Sequence, residues 1–68
     1  MLKTRIKEYR ARYEISQEEL AKSVNVRRET ISHLERGSYN PSLKLAWDIS
    51  IFFETTIEEL FEYIEEEK

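Results

Sequence analysis

Apolar residues return along this chain at intervals of three and four. Leu2, Ile6, Tyr9 and Tyr13 fall at spacings of four, three and four, which places them on one face of a first helix spanning roughly residues 2–13. A second helix begins at Ser16. In S-Q-E-E the Ser16 hydroxyl is set to accept from the amide of Glu19 while the Glu19 carboxylate reaches back, a capping box. Leu20, Ala21 and Val24 supply its apolar face. Asn25 takes up a left-handed backbone easily, so the chain can stop and turn there. A third helix runs from near Arg27 to about Arg36, and Gly37 ends it. A fourth starts at Pro41-Ser42, with Asn40 as cap and Pro41 in the first turn, or with Ser42 as cap. Leu45, Ala46, Ile49, Phe52 and Phe53 line its inner side. T-I-E-E, from Thr56 to Glu59, repeats the capping-box signature, and Ile57, Leu60, Phe61 and Ile64 form the stripe of a fifth helix. No alternating pattern suggests a strand. The pattern predicts an all-α, compact five-helix fold in one domain over residues 1–68, with 65–68 fraying.

Composition narrows the function. A chain of 68 residues hides only about 60% of the surface its unfolded form exposes, so one small core is all it can build. The absence of cysteine excludes disulfides and thiolate zinc sites. No apolar run approaches the roughly 20 residues that span a bilayer, and the opening MLKTRIKEYR is too charged for a secretory segment. A cytoplasmic protein is expected. With one His, one Asp and one Gly, the chain has no glycine-rich phosphate loop, metal-ligand cluster or triad. Ser32 and His33 are adjacent and diverge by about 100° on a helix. The expectation is a protein that is not an enzyme and needs no cofactor or metal.

Charge is unevenly divided. Residues 1–44 carry ten Lys/Arg against six Asp/Glu, a net +4, and residues 45–68 carry one against eight, a net −7. Such asymmetry suits a polyanionic partner at the basic end, or simply a charged, soluble surface. On the third helix Ile31 and Leu34 point one way, while Arg28, Glu29, Ser32, His33 and Arg36 occupy an opposite arc about 140° wide. That arc suits a solvated face with a Glu29 to His33 contact. It also suits base edges in a major groove, where Arg matches guanine and Glu accepts from cytosine. Two short helices around a tight turn, with Val24 and Val26 flanking Asn25, describe a helix-turn-helix over about residues 16–36.

Residues 16–61, SQEELAKSVNVRRETISHLERGSYNPSLKLAWDISIFFETTIEELF, resemble the five-helix DNA-binding domain of the phage repressor/Cro-type (lambda-repressor-like) transcriptional regulators. Q-E-E-L-A, T-I-S-x-L-E-R-G and N-P-S-L stand in the family's places. The resemblance implies a sequence-specific, double-stranded-DNA-binding regulator, a repressor, acting as a homodimer with its third helix in the major groove. It places Arg28, Glu29, Ser32 and His33 at the base-reading positions. Gln17 falls at a phosphate-holding position, and Tyr39, Asn40 and Lys44 fall where the family's loop and next helix approach the DNA backbone. Arg10 and Glu35 resemble a pair that ties the first helix to the end of the third. Arg27 replaces the Ser or Thr cap usual in such domains, and it joins Arg36 as a phosphate contact. Glu14, Asn25 and Glu54 stand where glycine is common. An alternative is a protein-interaction module of the same fold, such as an antitoxin or a polymerase-bridging factor.

A homodimer needs a surface from the domain itself. Trp47 and Ile51 point away from the Leu45/Ile49 side of the fourth helix, and Tyr63 lies off the fifth helix's stripe. Together they form a candidate dimer interface, or they lie singly on the surface. Glu58, Glu59, Glu62 and Glu65 to Glu67 either make a solvated face or keep that end away from DNA.

Overall fold

Local capping sets where the second, fourth and fifth helices begin. The computed structural model describes residues 2–65. In chain order the elements are β1 (Leu2–Thr4), α1 (Ile6–Tyr13), α2 (Gln17–Ser23), α3 (Arg28–Glu35), α4 (Leu43–Phe52), α5 (Ile57–Leu60) and β2 (Phe61–Tyr63). At α2 the capping box is complete: the Glu19 amide donates to Ser16 Oγ at 3.0 Å and the Ser16 amide to Glu19 Oε1 at 2.9 Å. Ser42, not Asn40, caps α4 by accepting from the Leu45 amide at 3.1 Å, so Pro41 sits just ahead of the cap. Thr56 accepts from the Glu59 amide at 3.1 Å and starts α5. Arg27 precedes α3 without a side-chain cap.

Four helix exits share one device, a left-handed residue after the last turn with paired backbone bonds around it. These residues are Glu14 (φ 55°), Asn25 (φ 60°), Gly37 (φ 73°) and Glu54 (φ 54°). Behind Asn25, for instance, the Val26 amide donates to the Ala21 carbonyl at 2.9 Å. Gly37 is also crowded, since a Cβ there would lie 2.2 Å from the Leu2 carbonyl oxygen. Gly37→Ala is therefore expected to cost about 2 kcal/mol, combining a left-handed penalty with displacement of β1. Urea denaturation measures it, and a loss under about 0.5 kcal/mol would mean that the approach of Leu2 to Gly37 is easily relaxed.

The two ends of the chain depart from the all-α expectation. Leu2–Thr4 is a strand, paired antiparallel with Phe61–Tyr63 in the register Leu2 to Tyr63, Lys3 to Glu62 and Thr4 to Phe61. The Arg5 amide extends the tie by donating to the Leu60 carbonyl at 2.9 Å. The first helix thus begins at Ile6, not near residue 2, and the fifth stops after four residues. Phe61, Tyr63 and Thr4 favour extended backbone, and a segment as short as α5 has little helical stability to propagate. Leu2 and Ile6 are both buried in spite of this change, so the spacing of four survived although its cause differs. Of the stripe predicted for the fifth helix, Leu60 is buried, Ile57 and Phe61 are half-buried and Ile64 is exposed. The expected fraying of 65–68 falls, beyond Glu65, outside the described residues.

Ile6, Leu20, Ile31, Leu34, Ile49 and Leu60 are fully buried together with Phe53, so every helix contributes to one core. Tyr9 and Tyr13 close it on the aromatic side: the Tyr13 hydroxyl donates to the Phe53 carbonyl at 2.9 Å, and its ring meets that of Phe53 edge-on at 5.1 Å. Among the described residues no helix is long and apolar enough to cross a membrane.

Candidate nucleic-acid interface

Helix α3 lies over the core on Ile31 and Leu34, neither of which retains exposed surface. The same rotation that buries them turns Arg28, Glu29, His33 and Arg36 outward, all exposed, with Arg27 exposed just ahead of the helix and Ser32 half-buried between them. The arc read from the sequence is therefore a ridge of donors and acceptors, with Ser32 its least accessible member. The turn from α2 is held by the left-handed Asn25, and Val26 packs on the core.

A chain of polar contacts runs from α1 to the start of α3. Arg10 holds Glu35 with two bonds, Nε to Oε2 at 2.6 Å and Nη2 to Oε1 at 3.1 Å, and also donates to the Ile15 carbonyl at 3.1 Å. Both side chains are largely buried, with 16% of Arg10 and 8% of Glu35 exposed. The hydrogen bond to Glu35 raises the Arg10 guanidinium above its ordinary value, against a smaller opposing effect of burial. Gln17 Nε2 donates to the same Glu35 Oε1 at 3.0 Å, and Gln17 Oε1 accepts from Arg28 Nη1 at 3.2 Å. The expected Arg10 to Glu35 tie is present. Its extension through Gln17 to Arg28 needed the fold, because it joins three helices.

The loop after α3 and the first turn of α4 carry the remaining backbone-contact candidates. Tyr39, Asn40 and Lys44 are exposed. Asn40 accepts from the Tyr63 hydroxyl at 3.3 Å, and Lys44 pairs with Asp48 one turn on at 2.9 Å. A solvent-exposed pair of this kind holds its lysine weakly, so Lys44 is available to a phosphate at small cost.

The apolar candidates divide between two sides of α4. Tyr63, 66% exposed, borders a groove with Leu2, Pro41, Leu43, Ala46, Ile57 and Phe61. Trp47 and Ile51, 58% and 59% exposed, border another with Val24, Asn25 and Phe52. Leu43, 77% exposed, was missed by sequence reasoning although its spacing of four and eight from Trp47 and Ile51 would have found it. Glu58, Glu59, Glu62 and Glu65 are exposed, Glu62 standing 3.5 Å from Arg5; Glu66 and Glu67 lie outside the described residues. Among the described residues no group of three or more His, Cys, Asp or Glu could hold a metal ion.

The geometry agrees with what the chain is similar to. The helix-turn-helix family model matches residues 6–60. An uncharacterized HTH-type transcriptional regulator of Archaeoglobus fulgidus is 59% identical over 66 residues, covering 97% of this chain and 93% of that protein. Uncharacterized HTH-type regulators of Methanocaldococcus jannaschii and Bacillus subtilis are 47% and 44% identical, each over 97% of this chain and over 100% and 98% of their own lengths.

Proposed function

Since the chain belongs to the Cro/C1-type helix-turn-helix family, we propose that it is a sequence-specific regulator of transcription that represses by occupying duplex DNA as a homodimer. The observation that carries this reading is the exposed polar ridge of α3 above a fully buried underside. A major groove about 12 Å wide admits one such helix. Arg28, Glu29, Ser32 and His33 then face base edges. Arg27, Arg36, Tyr39, Asn40, Lys44 and the remaining N–H of Gln17 reach the flanking phosphates, which position the helix without specifying sequence. A single domain grips few phosphates, and two copies on half-sites roughly 34 Å apart give both affinity and a palindromic preference. The exposed Leu43, Trp47, Ile51 and Tyr63 supply apolar surface for that pairing.

Arg28→Ala is expected to weaken a selected site by about 1–3 kcal/mol and to relax preference at one base pair, whereas Arg36→Ala weakens all sequences alike. Fluorescence anisotropy on the selected duplex and its single-base variants reads both. Equal losses on every sequence for both variants would refute base reading by Arg28. A second reading, a protein-interaction module such as an antitoxin or polymerase-bridging factor, is favoured by the separate groove beside Trp47 and Ile51. It predicts that the purified chain alone shows no preference among duplexes.

A further inference from the structure

The ribbon formed by the two ends of the chain lies against the loop that leaves α3. At the start of that loop the Leu2 carbonyl of β1 meets Gly37 so closely that no Cβ would fit. Near its end the Tyr63 hydroxyl of β2 donates to Asn40 Oδ1 at 3.3 Å. Leu2 and Tyr63 are paired across the ribbon, so one rung touches the loop twice. The residues on either side of Asn40 are held by other means. The Ser38 amide and hydroxyl both donate to the His33 carbonyl at 3.2 Å, and Pro41, just ahead of the Ser42 cap, disfavours a helical backbone at Asn40. What the backbone leaves undecided is which way the Asn40 amide turns.

We propose that Tyr63 is a positioning residue for DNA binding: its hydroxyl engages the amide oxygen of Asn40 and so presents the amide N–H groups to a phosphate. This rests on the DNA-binding function proposed above and names what sets one of its backbone contacts. A phosphate oxygen only accepts, so an asparagine side chain can hold it through Nδ2 alone. Turned the other way, the amide oxygen would face the phosphate, acceptor against acceptor. A hydroxyl donating to Oδ1 removes that alternative, because the amide is planar and its nitrogen then faces away from the donor. Tyr63 need not reach the DNA itself. The contact adds affinity without sequence preference, and Asn40 carries no charge, so it releases no counterion. The ring of Tyr63 borders the groove shared with Pro41 and Leu43, and removal of the hydroxyl alone leaves that apolar surface in place.

The test takes a duplex selected by the full chain from a random library and compares the parent with Tyr63→Phe, Asn40→Ala and the double variant by fluorescence anisotropy. Tyr63→Phe is expected to weaken binding about threefold to tenfold, the effect of one hydrogen bond. The loss is expected to be the same on the selected site and on its single-base variants, with the slope on salt unchanged. In the Asn40→Ala background the same substitution is expected to change affinity no further, whereas weaker pairing between copies or general loosening of the fold would show in both backgrounds. Ethylation of one phosphate in each half-site is expected to hinder the parent and to hinder Tyr63→Phe and Asn40→Ala less. No loss on Tyr63→Phe, or an equal loss with and without Asn40, would overturn the proposal while DNA binding by α3 stands. A change in base preference on Tyr63→Phe would do the same, since Asn40 would then touch a base edge. If no duplex is selected at all, the DNA-binding function fails and the role of Tyr63 falls with it.

Discussion

Glu35→Ala is expected to remove about 3–5 kcal/mol of stability and to leave much of the protein unfolded at ambient temperature. The side chain is 8% exposed and accepts from Arg10 and Gln17. Its loss strands the Arg10 guanidinium, itself 16% exposed, without its charge partner. A domain of this length has roughly 3–10 kcal/mol in all, so one such loss consumes most of it. Replacing both partners, as in Arg10→Met with Glu35→Leu, is expected to be far milder, because no uncompensated charge stays inside. Thermal melts followed by circular dichroism compare the two. A loss under about 1 kcal/mol for Glu35→Ala would show that water reaches Arg10 freely. The raised value of Arg10 adds stability that is fully present below the ordinary arginine range and is lost only as pH climbs through the folded value. Arg10 therefore introduces no pH dependence near neutrality.

The second large effect is on binding. Although the whole chain has a net charge of −3, its affinity for a selected duplex is expected to fall about 10³-fold between 50 and 200 mM salt, with the slope set by counterions released from neutralised phosphates. Arg27, Arg28, Arg36 and Lys44 lie on or beside the ridge, and a dimer presents them twice. The acidic residues of α5 and β2 act against this only within a Debye length, about 10 Å at 0.1 M salt. Anisotropy titrations across that salt range measure the slope. A flat dependence would indicate that the cations of α3 touch no phosphate.

Legibility followed the range of the interaction. Ser16 with Glu19 and Thr56 with Glu59 are three residues apart, so their caps were readable from neighbours alone. The face of α3 was readable because Ile31 and Leu34 report its buried side through a fixed helical rotation. The strand pair was not, since Leu2 meets Tyr63 only after the whole chain has folded, and Leu2 kept a helical spacing that concealed it. Ser42 over Asn40 as the cap of α4 was undecided in sequence, because both side chains cap well. The link from Glu35 through Gln17 to Arg28 was likewise hidden: the resemblance singled out each residue, but not that one amide would join them. Trp47, Ile51 and Tyr63 were correctly expected at the surface, yet only the fold separates them into two grooves.

The central claim is that α3 reads the major groove. The most direct test is methylation interference on the selected duplex, since a methyl at guanine N7 stands in that groove and one at adenine N3 stands in the minor groove. The expected result is loss of binding when N7 is methylated in each half-site, with Arg28→Ala insensitive at the guanine it no longer contacts. Interference confined to adenine N3, or binding indifferent to N7 methylation throughout, would contradict it.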